Sequence, residues 1–482
     1  MLFNSLIFLI FLPLVFCGYW FIFKRLSMQN AFIALASYFF YGWWDWRFLF
    51  LIFFTTCSCF FFGILIDKTK DKSCKKWYCG INIVINLSIL GFFKYFNFFS
   101  ENISLLFSQF GYQLDWVTLD ILLPVGISFY TFQAISYPID IYREQIKPTK
   151  NFIAFASFIS FFPQLVAGPI ERSTQLLPQF FKERKFNYSK AVEGMRQILW
   201  GFFKKIVIAD NCAFIANKIF ENYQECNAYL LIIGAVAFSF QIYGDFSGYS
   251  DIAIGIAKLF GIYLQNNFHY PYFSHNIVEF WRRWHISLNT WFRDYVYIPL
   301  GGSRCSRTKW IRNIIIVFLL SGLWHGANWT YVIWGLYCGV MYLIFRLTEK
   351  KIKCLSVKVV NWRNFPITDF LAIMVTFILV TIGWIIFRSE NIVDGIKYIY
   401  YIFSHGFKST IDILHGYRHV VLYTCLMILI LLLIEWWGRK YNFGLGVLAG
   451  RTTIIRWGTY FILLFFILIF AGHQTDFIYF MF

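Results

Sequence analysis

The stretch Arg312-Asn313-Ile314-Ile315-Ile316-Val317-Phe318-Leu319-Leu320-Ser321-Gly322-Leu323-Trp324-His325-Gly326-Ala327-Asn328 carries one histidine into an apolar run. Arg312 marks an aqueous face, and a helix rising 1.5 Å per residue would carry His325 about 20 Å inward. That depth lies well inside a hydrocarbon layer about 30 Å thick. A titratable ring is costly to keep there, so a functional role is one reading. A neutral imidazole that hydrogen-bonds a carbonyl of a neighbouring helix is the other.

Composition sets the class. Of 482 residues, 59% are hydrophobic and only 14% charged, with 61 Phe and a mean hydropathy of +0.58. So few charges cannot cover a soluble surface, and the chain reads as an all-α polytopic membrane protein. The net charge of +18 is first a topology signal, because Lys and Arg gather in cytoplasmic loops. The basic residues sit between apolar spans and form no domain, which argues against nucleic acid as a partner and leaves membrane lipids. The eleven Cys are scattered without a CxxC-and-His pattern, so no metal site or disulfide scaffold is indicated. The apolar start from Leu2 lacks a basic region and a cleavage site, and reads as a retained first span.

The basic segments order the spans. Lys24-Arg25, Lys68–Lys76, Arg143–Lys150, Arg184–Lys190, Arg346–Arg363 and Gly438–Arg456 are expected inside. Alternation between them predicts roughly ten to twelve transmembrane helices in one integral domain over 1–482, with both termini extracytoplasmic. Phe152–Phe162 is too short to span and runs into Pro163 and Gly168-Pro169, which suggests a re-entrant hairpin buried in protein. The polar groups Lys204-Lys205 and Tyr243–Asp251 interrupt two other spans, and Asp245 and Asp251 are expected to bond exposed helix ends around a cavity. Gly-x-x-Ser-Gly at 244–248 is not a hydrolase elbow, so Ser247 is no strong nucleophile.

Trp281, Trp284, Leu288 and Trp291 recur at three- and four-residue steps, which predicts one helix with an aromatic face. Arg282, Arg283, Asn289 and Arg293 lie off that stripe. An amphipathic interfacial helix with snorkelling arginines explains them. A cationic site for a phosphate-bearing donor, with His285 among its cations, explains them too. At the other end, residues 472–482 form an aromatic tail that anchors at an interface or exposes the hydroxyl of Tyr479 outside the membrane.

Taken together, Trp281-Arg-Arg-Trp-His-Ile-Ser-Leu288, Arg293-Asp-Tyr295, Ile298-Pro-Leu-Gly-Gly302 and Leu323-Trp-His-Gly-Ala327 resemble the membrane-bound O-acyltransferases. Leu123–Phe132, Phe162–Ile170 and Tyr243–Asp251 match the branch with alginate O-acetylase and peptidoglycan O-acetyltransferase. The resemblance implies spanning, re-entrant and interfacial helices around a central cavity, in a bacterial inner membrane. It implies that His325 is catalytic and His285 the second required histidine, with Trp324 and Asn328 in support. It also implies acetyl-CoA as a cytoplasmic donor substrate, with no bound cofactor. An external esterase-like partner of the SGNH type and a polysaccharide acceptor follow from the same likeness. In relatives, a tail ending Phe-x-Tyr-Phe-x-Phe is thought to carry the acyl group, and Tyr479 is the matching residue. D-alanyl or other acyl transfer is the alternative within the family. A transporter or flippase of an acyl or glycan precursor is the alternative outside it.

The chemistry suits the assignment. A hydroxyl attacks a thioester poorly until a base takes its proton, and a neutral imidazole in a low-dielectric pocket can be that base.

Overall fold

The computed structural model describes residues 1–482 except 113–118, 120, 167, 349–366, 407–412, 415, 473, 476 and 479–482. The described residues form helices and connecting turns, with no strand among them. They fall into two compact units, 1–194 with 253–265, and 195–252 with 266–482.

The first unit contains α1 (Leu6–Cys17), α2 (Leu26–Gly42), α3 (Leu49–Lys68), α4 (Lys72–Ser108), α5 (Ile127–Tyr142), α6 (Phe152–Ser160), α7 (Phe162–Leu165), α8 (Ser173–Leu176) and the start of α9 (Tyr188–Phe202). Phe8, Phe11, Phe40 and Phe162 pack edge-on or tilted within about 6 Å of one another. The segment over 152–165 breaks at Phe161, and every described side chain from Ala154 to Leu165 is buried. Its severed backbone is repaired by side chains. The Phe158 carbonyl accepts from Gln133 Nε2 at 2.7 Å and Gln164 Nε2 at 3.0 Å, and Phe162 N donates to Ser37 Oγ at 3.0 Å. Irregular backbone survives in apolar surroundings only with such partners.

The second unit holds the rest of α9, α10 (Asp210–Glu221), most of α11 (Ala228–Leu259), α12 (Ile277–Arg283), α13 (Ile286–Phe292), α14 (Arg307–His325), α15 (Trp329–Thr348), α16 (Ile367–Arg388), α17 (Ile392–Ser404), α18 (Arg418–Gly438) and α19 (Thr453–Ile469). Among the described residues, six helices are long and apolar enough to span a membrane: 46–68, α4, α11, α15, α16 and α18. Leu6–Ile22 and α19 are shorter apolar helices.

Two expectations change here. Residues 243–251 do not interrupt a span, since α11 runs through them unbroken for 32 residues. Asp245 and Asp251 meet lysines instead of helix ends, Lys205 at 2.7 Å and Lys204 at 2.5 Å. A buried charge without a helix end to cap needs an opposite charge, and the adjacent Lys204 and Lys205 supply one each. The aromatic stripe over 281–291 is likewise two helices, α12 and α13, parted at Trp284-His285.

Packing of α14 against α15 sets the depth of His325. A Cβ on Gly322 would lie 2.2 Å from the Tyr331 carbonyl oxygen, and one on Gly335 2.4 Å from that of Phe318. Only glycine allows backbones to approach this closely, the small-residue device of membrane helix pairs. Gly335→Leu is expected to cost about 3 kcal/mol or more by forcing the pair apart. A lowered melting temperature in detergent and loss of the monodisperse species on size exclusion are the measures.

Candidate functional site

The site grows from the end of α14. Ser306 caps its first turn by accepting from Lys309 N, and the helix ends with His325 as its last residue. The next helix starts at once because Asn328 organises the turn. Its Oδ1 accepts from Thr330 N at 3.0 Å and its Nδ2 donates to the Glu390 carbonyl at 2.9 Å. Asn328 therefore holds the backbone around the histidine.

His325 is buried, 4% exposed, against three aromatic side chains. The rings of Trp324, Trp334 and Phe387 lie 5.0, 5.1 and 5.5 Å from it, all near perpendicular. Trp334 stacks on Trp384 at 5.6 Å, and Trp384 contacts Trp284 at 4.9 Å. These rings lower the local polarity and fix the imidazole plane.

Trp324 also faces His285, with ring centres 5.8 Å apart. The two histidines, forty residues apart in sequence, thus both contact one indole. His285 sits at the break between α12 and α13 with φ 44° and ψ 54°, a left-handed conformation costly for a residue with a Cβ. Asn289 holds that break by donating from Nδ2 to the carbonyls of Trp281 (2.7 Å) and Trp284 (2.6 Å). The backbone of 267–269 closes the other side, His269 N donating to Arg283 O and Ile286 N to Asn267 O, both at 2.9 Å.

Hydrogen bonds to Asn267 decide the tautomer of His285. Asn267 Oδ1 accepts from Ser287 N (3.3 Å) and Ser287 Oγ (2.9 Å), while its Nδ2 donates to Ser250 Oγ (3.2 Å). That oxygen is an acceptor, so His285 Nδ1 at 3.1 Å must be the donor. The neutral ring then has its lone pair on Nε2. Outside those spanning helices, His285 is pushed well below the ordinary imidazole pKa, first by burial and then by the nearby imidazole of His325. It is therefore neutral at neutral pH, and the expectation that it joins the arginines as a cation is corrected.

The other sequence-derived candidates divide. Trp281 and Trp284 belong to the aromatic packing, Trp281 standing 5.8 Å from Trp334. Arg283 is paired with Glu279 at 2.5 Å. Arg282 is exposed, and Arg293 is largely exposed beside Asp294 at 2.7 Å. Tyr479 lies outside the described residues. No group of three or more His, Cys, Asp or Glu that could hold a metal lies together among the described residues. Asn267, Ser287, Phe387 and Trp384 escaped the sequence reading. An asparagine in Gln265-Asn266-Asn267 has no spacing or periodicity that ties it to His285.

The sequence profile of the membrane-bound O-acyltransferase family matches residues 81–387. The chain belongs to the membrane-bound O-acyltransferase family. It is 41% identical over 411 residues to a protein named probable alginate O-acetylase AlgI of Pseudomonas aeruginosa PAO1, covering 84% of this chain and 75% of the relative. It is 36% identical over 428 residues to the peptidoglycan O-acetyltransferase of Helicobacter pylori 26695, covering 82% and 79%. Teichoic acid D-alanyltransferase of Bacillus subtilis 168 is 33% identical over 281 residues, covering 55% of this chain and 69% of the relative. This O-acyltransferase is thus a multi-pass membrane enzyme of the O-acetylating kind, and transfer chemistry replaces the transporter alternative.

Asn267→Asp places a carboxylate on His285 Nδ1, favours the imidazolium and raises its pKa. The acid limb of the rate–pH profile is expected to move up toward neutral pH, with the wild-type limb below about 6.5, the unperturbed value. Steady-state rates between pH 5 and 9 check this.

Proposed function

We propose that this enzyme takes an acetyl group from cytoplasmic acetyl-CoA and delivers it beyond the membrane, for O-acetylation of a polysaccharide of the alginate or peptidoglycan kind. The observation that carries the reading is that His285 and His325 both contact the indole of Trp324. Relatives named for O-acetylation of two polymers, each aligned over more than four-fifths of the chain, support the acetyl group and the polymer class. The D-alanyl relative aligns over little more than half, which favours acetyl over D-alanyl as the cargo.

In the proposed reaction, His325 accepts the proton of an attacking hydroxyl while its oxygen adds to the thioester carbonyl. The carbon–sulfur bond then breaks and the same proton passes to the departing thiolate, leaving an ester and free CoA. His285, held by Asn267 with Nε2 as acceptor, contributes a second neutral imidazole beside Trp324. Arg282 and Arg293 remain accessible to the donor's phosphates, while Arg283 is engaged by Glu279. Tyr479 is the first acceptor in this scheme. A second ester exchange, with an external esterase-like protein, would pass the acetyl group to the glycan and restore the tyrosine hydroxyl. The scheme places both termini outside a bacterial inner membrane.

Purified protein given radiolabelled acetyl-CoA should become labelled in a form that alkali releases. His325→Ala is expected to slow labelling about 10²- to 10⁴-fold, the usual worth of a positioned acid–base group. Labelling at the wild-type rate would remove His325 from the chemistry. Tyr479→Phe is expected to abolish the labelled species and glycan acetylation, and full glycan acetylation by that variant would reduce the tail to an anchor.

A further inference from the structure

Among the charged side chains buried in the second unit, Lys205, Asp210 and Asp245 form one cluster that acyl transfer does not itself use. Lys205 is fully buried, and Asp210 and Asp245 are each 2% exposed. Lys205 lies in the π-helical stretch Phe203–Ala209 that joins α9 to α10. Such widened turns are rare and recur at functional sites. Its ammonium stands 2.7 Å from Asp245 Oδ1 and 2.9 Å from Asp210 Oδ1, and donates to the Thr475 carbonyl at 3.0 Å.

The acids also hold the C-terminal tail. Thr475 Oγ1 donates to Asp210 Oδ1 at 2.6 Å, and Ile478 N donates to Asp245 Oδ2 at 2.7 Å. Upstream, Asn211 Nδ2 donates to the Phe470 carbonyl at 2.8 Å and Gly472 N to the Ile206 carbonyl at 3.3 Å. Phe477 and Ile478 are buried, and the Phe477 ring lies 4.4 Å from Tyr249 and 6.1 Å from Phe246. Phe246 in turn stands 4.5 Å from His285. The ring of Phe246 therefore contacts both Phe477 of the anchored tail and His285.

Burying an ion group carries a desolvation cost of several kcal/mol per charge, and well-packed apolar residues often hold helices as firmly. Charges supply something apolar packing cannot: directional acceptors and a donor matched to one register of an extended segment. Thr475 O, Thr475 Oγ1 and Ile478 N are the three tail groups matched here.

We infer that Lys205, Asp210 and Asp245 form a docking clamp for residues 475–478, and act as positioning residues that deliver the tail to the histidine pair in a single register. The inference rests on the reading of Tyr479, the next residue in the chain, as acetyl acceptor. The clamp holds the backbone just before it, so the carrier hydroxyl does not have to search for the site at each turnover. Positioning of this kind acts on the transfer step and leaves donor binding unchanged.

The test alters the tail and leaves the buried charges intact, in full-length protein. Ile478→Pro removes the N–H that Asp245 accepts, and Thr475→Val removes the hydroxyl that Asp210 accepts. Ile478→Val and Thr475→Ser keep those groups. Each deleting variant is expected to raise amide exchange of tail residues at least tenfold and lower kcat about tenfold, with KM for acetyl-CoA within twofold of wild type. The conservative variants should match wild type. Unchanged kcat with a loosened tail would overturn the clamp, as would an unchanged tail. Exchange rising equally through α10 and α11 would overturn it too, since that marks a purely structural role. Tyr479→Phe separates the two ideas. If it turns over normally, the carrier reading falls and the delivery role falls with it; if it is inactive while Ile478→Pro and Thr475→Val keep the wild-type kcat, the clamp alone falls.

Discussion

Inside an apolar protein, a backbone group that leaves its helix must find another partner, and the local architecture of this enzyme follows from that constraint. In the first unit the break at Phe161 is tolerated because Gln133 and Gln164 both donate to the Phe158 carbonyl. In the second unit, Asn289 serves the carbonyls of Trp281 and Trp284 at the break beside His285. Glutamine and asparagine side chains do at these points what an unbroken helix does elsewhere. The left-handed backbone of His285 is kept by the same contacts.

That break turns a helix into a site. An unbroken helix over 277–292 would place its side chains by helical period alone, whereas the kink brings His285 to 5.8 Å from the indole of Trp324. Asn267 then settles which ring nitrogen carries the proton. Burial and the nearby His325 keep that ring neutral, the state in which an imidazole can accept a proton or a hydrogen bond. Around the pair, Trp334, Trp384 and Phe387 supply a rigid apolar wall, in which electrostatic contacts are stronger than in water.

The same unit also buries full charges, at greater cost. Adjacent lysines on a π-helical turn serve different partners, Lys204 meeting Ser247 and Asp251 while Lys205 meets Asp210 and Asp245. A regular α-helix separates neighbours by about 100°. Both lysines nevertheless find acids on the long, unbroken α11, which is why polar residues at 243–251 do not break that helix. Through Lys205, Asp210 and Asp245, the last described residues of the chain are tied to the surroundings of His285.

Much was legible in the residues themselves. The scarcity of charge and the long continuous apolar runs pointed to a helical membrane protein, because such a run satisfies its own backbone groups only as a helix. Motifs around His285 and His325 marked the chemistry, and the short Pro-bounded run at 152–169 announced a buried break. Periodicity misled at 281–291, since it reports which side chains avoid water and is silent on whether the backbone between them stays helical. Sequence by itself therefore determined the class of molecule and the motifs that mark its family. Only tertiary structure decided that His285 and His325 meet one tryptophan, that Asn267 fixes the proton on His285, and that a buried lysine and two aspartates grip the tail. Those relations depend on contacts between residues far apart in the chain, and a linear pattern contains no distance between them.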